Sequence, residues 1–166
     1  LNKGVETLLK AAKVELISGW AKFRNSKTCE VSGGDKEYII NAEHVVLANG
    51  SKSVELPFMP FDNNIISSTE ALELSEVPKK LVVIGAGYIG LELGIAYRKL
   101  GSEVTFIEAL DQILPIYDAE MTRPINLWLK KHKVKVNLGA KAKGAVTKGK
   151  VTTVEYADSS GKNHKI

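Results

Sequence analysis

Three glycines that follow an apolar run are the residues of this chain best suited to contact a phosphate group. The stretch LVVIGAGYIG places Gly85, Gly87 and Gly90 in the pattern G-x-G-x-x-G, after residues 81–84 and before a helical pattern. The first glycine permits a tight turn, the second leaves room for a pyrophosphate, and the third lets helix and strand approach closely. Unpaired N–H groups and the helix dipole favour an anion there. The pattern therefore predicts a dinucleotide-binding turn.

Glu108 extends this prediction to the sugar of the nucleotide. It ends the strand pattern EVTFIE, 23 positions after Gly85, where an acidic residue is expected to accept hydrogen bonds from ribose hydroxyls. A carboxylate there would repel a 2′-phosphate, and residues 109–121 contain no Lys or Arg. We therefore expect NAD rather than NADP. The structural alternatives are a glycine turn that serves packing alone and a solvated strand end at Glu108.

The patterns around this turn predict an α/β fold, with a Rossmann-like NAD-binding domain that contains a parallel sheet and a β-meander. The apolar run 81–84 is typical of a parallel strand that is buried on both faces. Helices are expected at 88–100 and 118–131, and strands at 103–108, 134–138, 143–147 and 150–157. Apolar residues at helical spacing predict the buried faces of the two helices: Ile89, Leu93, Ala96, Tyr97 and Leu100 in the first, and Met121, Ile125, Trp128 and Leu129 in the second.

Two helix starts can be read from capping and proline rules. Ser67 or Ser68 is expected to cap a short helix, because an acidic residue lies in the turn that follows. Pro124 lies inside the 118–131 pattern, so either the helix begins there or the proline bends it.

The first part of the chain is predicted to be mostly β. A helix at 5–12 is followed by strand patterns at VELIS (14–18), 21–23, 28–32, 37–42 and HVVLAN (44–49). The run LPFMPFD has two prolines, which favour extended backbone and indicate a connector. We therefore predict two domains, residues 1–62 and 63–166, with the boundary near Asp62.

Composition excludes several function classes. The net charge of +4 comes mainly from basic runs at 130–135 and 141–150, which lack interleaved aromatics and so indicate a solvated surface rather than a nucleic-acid site. The apolar runs are broken well short of the ~20 residues of a membrane span. The single Cys29 cannot form an intramolecular disulfide or a two-thiol redox centre, and it suits a reducing cytoplasm. No metal site is predicted, and no catalytic role is expected for His44, His132 or His164.

The quoted motifs carry a resemblance to a known family. The run from LPFMPFDNN through LVVIGAGYIGLELG to GSEVTFIEALDQILP closely resembles the pyridine-nucleotide disulfide oxidoreductases, and DQILP with Glu108 resembles their lipoamide-linked branch. The resemblance implies FAD and NAD as cofactors, a homodimer, and dihydrolipoamide on the E2 lipoyl domain of 2-oxo acid dehydrogenase complexes as the reductant. It implies that electrons pass from this dithiol to a cysteine pair, then to FAD, and then to NAD.

The same resemblance assigns roles to individual residues. It implies that Glu108 holds the adenosine ribose, that backbone at Ala142 lies near the adenine, that Tyr88 lies over the flavin, and that Glu92 meets a lysine beside the flavin, a lysine absent from this chain. VVLANGS resembles the family strand that contacts FAD, although Asn49 departs from the usual threonine. The implied FAD contacts are Ala21, Asn49, Gly50 and Ser51. The implied contacts to the NAD pyrophosphate and nicotinamide ribose are Gly85, Ala86, Gly87, Tyr88, Ile89, Gly90, Leu91 and Glu92.

Several parts of the family pattern have no counterpart in these 166 residues. They are the FAD glycine fingerprint, the paired redox cysteines, the C-terminal His–Glu pair and the closing strand of the NAD domain. We therefore expect a piece of a longer protein, without catalytic residues and inactive by itself. The alternatives are another NAD(P)H-linked flavoprotein reductase, such as a mercuric reductase, disulfide reductase or transhydrogenase, and a non-catalytic Rossmann nucleotide sensor. The VVLANGS segment argues against the sensor, which needs no flavin contact.

Overall fold

Residues 2–166, which a computed structural model describes, form two units that divide between Ser51 and Lys52. The first unit has one helix and an antiparallel sheet in the order β1-β2-β3. Its elements are α1 (Asn2–Ala11), β1 (Trp20–Phe23), β2 (Thr28–Ser32) and β3 (Tyr38–Asn41).

The second unit has a parallel sheet, β4-β5-β6, and an antiparallel meander, β7-β8-β9. The predicted α/β fold with a parallel sheet is therefore confirmed. Its elements are α2 (Ser68–Glu73), β4 (Lys80–Ile84), α3 (Tyr88–Lys99), β5 (Glu103–Ile107), α4 (Ala119–Lys131), β6 (Lys135–Asn137), β7 (Lys141–Lys148), β8 (Val151–Ala157) and β9 (Asn163–Lys165). Within residues 2–166, no helix is both long and apolar enough to cross a membrane.

Two of the strands predicted in the first unit do not form. The segments 14–18 and 44–49 are irregular, so those predictions are wrong. Alternating apolar residues stabilise a strand only when a neighbouring strand accepts its backbone hydrogen bonds. No such ladder includes either segment among the described residues. Val46, in the second of these segments, is 89% exposed. Leu8 of α1 is also apolar and 71% exposed.

The core of the second unit forms around β5, which pairs with a strand on each side. Phe106 has no exposed surface, and Val104 and Ile107 are each 1% exposed. Burying a side chain of this size contributes about 1.5–3 kcal/mol. By contrast, β4 lies at the sheet edge and is only half-buried, with Ile84 38% exposed. The prediction that residues 81–84 are buried on both faces is therefore wrong in this chain.

The buried face of α3 is rotated relative to the predicted one. Leu91, Gly94 and Tyr97 are buried, whereas Ile89 and Leu100 are exposed. The reason is close packing, because a Cβ at position 94 would collide with the Phe106 ring. Small Gly94 therefore determines which face of the helix meets the sheet. The hydroxyl of Tyr97 donates to the carbonyl of Ala71 and joins α3 to α2.

The other two helices of this unit show which serine caps α2 and where Pro124 lies in α4. Ser67 caps α2 in a capping box with Glu70, whose pKa is lowered chiefly by the hydrogen bond from the Ser67 hydroxyl. Because α4 begins at Ala119, Pro124 lies in the helix interior rather than at its start. The prediction that Met121 is buried is wrong, since it is 66% exposed and Thr122 faces inward in its place.

The turn between β8 and β9 depends on one carboxylate. Oδ1 of Asp158 accepts hydrogen bonds from the N–H groups of Ser160 and Lys162 and from the Ser160 hydroxyl, while Oδ2 lies 2.6 Å from Nε2 of His164. These bonds hold the pKa of Asp158 well below its usual range, with the Ser160 hydroxyl as the largest cause and His164 next. Strand β9 was not predicted, because its residues lack an apolar pattern.

We predict that Asp158→Asn loosens the β8–β9 turn at neutral pH, because the amide cannot replace every bond of the carboxylate. A lowered pKa stabilises the fold at pH values above the unfolded value, about 3.9, and this contribution is lost as pH falls below it. Hydrogen exchange of the β9 amides should therefore be faster in the variant at pH 7, and the difference should disappear in strong acid. Ser159→Ala in the same turn is the control. Equal exchange at pH 7 would contradict the prediction.

Candidate functional site

The glycine turn connects the end of β4 to the start of α3. Gly85 has a φ of +96°, in the left-handed region that glycine adopts without strain. Its N–H donates to the carbonyl of Ile107 over 2.9 Å, so the turn stays against the end of β5. The tight turn expected at this position is present.

The glycines at 87 and 90 are constrained in different ways. A Cβ at Gly90 would collide with the Gly85 carbonyl and come within 3.2 Å of Cγ1 of Val83. Gly87 has an ordinary φ of −74°, and a Cβ there would meet nothing within 4 Å. Internal packing therefore requires glycine at position 90 but not at position 87. The space beside Gly87 is open, as the approach of a ligand would require.

The start of α3 has no side-chain cap among the described residues. Gly87 is its N-cap residue and carries no side chain. The first backbone hydrogen bond runs from the N–H of Leu91 to the Gly87 carbonyl, over 2.9 Å. The N–H groups of a first helical turn have no intrahelical acceptor. Here they are available to an anion, unlike those of α2, which Ser67 caps.

Glu108 lies beside this turn and is 7% exposed. Its Oε2 accepts a hydrogen bond from the N–H of Ala86 over 2.6 Å, and its Oε1 accepts one from the N–H of Leu110 over 2.9 Å. The alternative of a solvated strand end is therefore wrong. We call this pair of hydrogen bonds the Glu108 bridge.

Backbone hydrogen bonds bring a third segment to the same place. The N–H of Ala140 donates to the Glu108 carbonyl over 2.8 Å, and that of Gly139 donates to the Leu110 carbonyl over 2.7 Å. Ala142 follows in β7, next to a bulge, and pairs with Tyr156. Glu108 and the β6–β7 turn are thus adjacent. The sequence pattern did not identify Leu110, Gly139 or Ala140, because they act through backbone atoms that any residue provides.

Tyr88 and Glu92 lie along an apolar groove of about 470 Å³ on the outer side of α3. Tyr88 is 61% exposed, and Glu92 is also exposed. The opposite wall includes Leu114, Tyr117 and Ile125. A third polar residue of α3, Lys99, also lines the groove. The polar residues of this helix face therefore share one surface with apolar side chains.

The residues predicted to contact FAD belong to the first unit. Ala21 lies in β1 and pairs with Val31. Asn49, Gly50 and Ser51 are exposed, and the Asn49 side chain donates to the Gly50 carbonyl over 3.3 Å. Their contacts with FAD stay predictions.

The histidines and the cysteine occupy other places. His132 stacks on Trp128 with ring centroids 3.9 Å apart, and His164 stacks on Tyr156. Cys29 is half-buried in β2. In the described part of the chain, no group of three or more His, Cys, Asp and Glu residues is arranged to hold a metal ion.

The fold and this turn define a class of protein. The chain belongs to the pyridine nucleotide-disulphide oxidoreductase family, which residues 1–165 match. It is 45% identical to the dihydrolipoyl dehydrogenases of Pseudomonas aeruginosa and Geobacillus stearothermophilus, over 100% and 94% of its own length. It is 39% identical to leghemoglobin reductase of Vigna unguiculata, over 100% of its length. These alignments cover 35%, 33% and 32% of the three relatives, so the chain spans about a third of their length.

Solved structures show the same fold. The HOCl-induced flavoprotein disulfide reductase RclA of Escherichia coli is 26% identical, with a TM-score of 0.76 over 99% of this chain and 37% of that one. LpdA of Mycobacterium tuberculosis is 23% identical, with a TM-score of 0.83 over 98% of this chain and 37% of that one. The predicted resemblance to this family is confirmed.

We predict that Gly87→Ala weakens NADH binding by at least about tenfold, equivalent to about 1.4 kcal/mol, because its methyl group would fill the open space at the start of α3. The same substitution should change the free energy of unfolding by less than about 1 kcal/mol, because the backbone at Gly87 suits alanine, whereas alanine is a poorer N-cap than glycine. Calorimetric titration and denaturant unfolding measure the two effects.

Gly94→Ala is the matched control, because its methyl group would press on the Phe106 ring. Overpacking of this kind costs about 1–3 kcal/mol of stability. A Gly87→Ala variant that unfolds as easily as Gly94→Ala, or that binds NADH like the wild type, would contradict the interpretation of the open space.

Proposed function

We propose that this chain is the NAD-binding central part of a flavoprotein dihydrolipoyl dehydrogenase. The observation that carries the proposal is the open space at Gly87, beside the uncapped start of α3 and the buried carboxylate of Glu108. The 45% identity to two dihydrolipoyl dehydrogenases supports the choice of enzyme.

The hydrogen-bond donors and acceptors at the turn suit both the pyrophosphate and the adenosine of the cofactor. The N–H groups of Tyr88, Ile89 and Gly90 would hold the pyrophosphate at the positive end of α3. A carboxylate has about four lone-pair sites, and the Glu108 bridge uses two of them. The remaining sites would accept hydrogen bonds from the ribose hydroxyls. The adjacent β6–β7 turn would place backbone of Ala142 near the adenine.

Electrostatics favour NAD over NADP in this site. A 2′-phosphate would approach a carboxylate that is 7% exposed, and charges in such surroundings interact more strongly than in water. No Lys or Arg between residues 109 and 121 offers compensation. The chain would therefore bind NADH in preference to NADPH.

We assign residues 1–62 to part of the FAD domain and residues 63–166 to the NAD domain. In the first segment Ala21, Asn49, Gly50 and Ser51 would contact FAD. In the second, β4 is an apolar strand at a sheet edge, although such runs usually lie inside parallel sheets. A further strand of the intact protein would pair with this edge and complete the NAD domain.

The groove on α3 would face the flavin. When bound, FAD and NAD⁺ supply the hydride chemistry, and the protein contributes orientation and electrostatics. Tyr88 would cover the flavin at the mouth of the groove, and Glu92 would pair with a lysine from another part of the intact protein. Residues Leu114, Tyr117 and Ile125 would exclude water from this face.

The electron donor we propose is dihydrolipoamide on the E2 lipoyl domain of a 2-oxo acid dehydrogenase complex, acting on a homodimer. This reaction requires a disulfide, which the single Cys29 cannot form. The redox cysteines and the C-terminal His would come from other parts of the intact protein, so residues 1–166 alone would be inactive.

A second candidate is a flavoprotein reductase with a different electron acceptor or donor. Leghemoglobin reductase at 39% identity and a disulfide reductase at 26% identity both support it. The NAD-binding turn would serve either enzyme. The two candidates therefore differ only in the second substrate, which exchanges electrons with the flavin.

The intact protein is expected to reduce NAD⁺ with dihydrolipoamide, and NADP⁺ at least about 100-fold less efficiently in kcat/KM, a difference of about 2.7 kcal/mol in transition-state stabilisation. Absorbance at the NADH band measures both rates. Residues 1–166 alone should show no turnover, while calorimetry should show weak NADH binding that exceeds NADPH binding.

The possible outcomes separate the claims. Tighter binding of NADPH would contradict the role of Glu108. Turnover of NADH with another disulfide or with a haem protein, but not with dihydrolipoamide, would favour the second candidate. Absence of any pyridine-nucleotide binding would refute both.

A further inference from the structure

The Glu108 carboxylate joins two segments that are separate along the chain. Ala86 belongs to the glycine turn before α3, and Leu110 belongs to the loop after β5. Each carboxylate oxygen accepts one backbone N–H, over 2.6 Å from Ala86 and 2.9 Å from Leu110. The two bonds therefore fix the turn and the loop relative to each other.

We propose that Glu108 is a positioning residue as well as a ribose contact: its bridge holds the glycine turn in the geometry that receives the pyrophosphate. This inference rests on the proposed NAD-binding function, because NAD is the ligand whose binding the bridge would affect. Beyond that function, it proposes that Glu108 shapes the turn before any ligand binds. Glu108 would thereby affect the binding of the pyrophosphate, which its carboxylate does not contact.

The burial of Ala86 makes loss of the bridge costly in free energy. Ala86 has no exposed surface, so its N–H has no access to water. A buried N–H that loses its acceptor destabilises the local structure. The turn keeps its observed shape only while the Glu108 carboxylate remains in reach. A ligand that depends on this shape therefore depends on Glu108, even where it makes no contact with the carboxylate.

The bridge also affects cofactor selectivity. A free glutamate side chain could rotate away from a 2′-phosphate, which would relieve the repulsion. Rotation of Glu108 would break both hydrogen bonds and leave the Ala86 N–H unsatisfied. The carboxylate is therefore held beside the ribose, and the repulsion of NADPH is not relieved by a change of rotamer.

Other contacts keep the turn attached when the bridge is weakened. The N–H of Gly85 donates to the Ile107 carbonyl over 2.9 Å, and the N–H of Leu114 donates to the Ala86 carbonyl over 3.0 Å. Glu108→Asp keeps the negative charge but is one methylene shorter, so it cannot reach both N–H groups. The variant should therefore fold with its charge in place and its bridge broken.

The test compares wild type, Glu108→Asp and the control Glu103→Asp in the intact protein. Glu103 lies at the opposite end of β5 and is exposed, with its carboxylate 3.4 Å from Nζ of Lys135. Two properties are measured at a temperature at which circular dichroism shows each variant folded. They are the exchange rates of the Ala86 and Leu110 amides without ligand, and the affinities for NADH and for its analogue that lacks the 2′- and 3′-hydroxyls of the adenosine ribose.

Glu108→Asp should accelerate exchange at both amides by at least about tenfold, as expected for the loss of a hydrogen bond to a charged group. It should also weaken binding of the dideoxy analogue by at least about fivefold, because the pyrophosphate loses its preorganised turn. Glu103→Asp should change neither property. Unchanged exchange, or an unchanged affinity for the dideoxy analogue, would overturn the inference.

These outcomes are distinguishable from failure of the proposed function. If Glu108 acts only through the ribose hydroxyls, Glu108→Asp would weaken NADH binding alone and leave the analogue unaffected. If wild type binds neither compound, the proposed function fails, and the exchange rates alone decide whether the bridge holds the turn.

Discussion

The hydrogen bond from the buried Ala86 N–H to the Glu108 carboxylate is the interaction on which the geometry of the site depends. It fixes the glycine turn against the end of β5, the central and most buried strand of the second unit. The start of α3, the loop after β5 and the β6–β7 turn all meet at this point. The sheet thereby positions backbone N–H groups that no side chain of the described residues caps. Such a helix start favours the binding of an anion.

The sequence predicted those parts of the site that depend on the absence of a side chain. Gly85 has a left-handed φ, and a Cβ at Gly90 would cause a collision. Both are local steric constraints, so the glycines of the G-x-G-x-x-G pattern indicate them directly. Glu108 was identified for a different reason, because its distance along the chain from Gly85 follows from strand and helix length. Its hydrogen bonds to Ala86 and Leu110 were not predicted, since any residue can donate a backbone N–H.

Most errors of the sequence-based interpretation concern packing between elements. The apolar spacing of α3 predicted the right helix, but the buried face is rotated from the predicted one, because the contact of Gly94 with Phe106 determines the orientation. The apolar segment 44–49 has strand propensity but no neighbouring strand among the described residues. Strand β9 was missed because Asp158 and pairing with β8 determine its position, rather than a pattern of its own.

The central claim is that the first N–H groups of α3 hold the pyrophosphate of NAD beside Glu108. The most direct test is a titration of the isotope-labelled chain with NADH, followed by the amide resonances in NMR spectra. We predict that the largest shifts occur at Tyr88, Ile89 and Gly90, with a smaller shift at Leu110 and none in β9. Saturation with NADH without a change at residues 88–90, or with changes confined to the meander β7–β9, would contradict the claim.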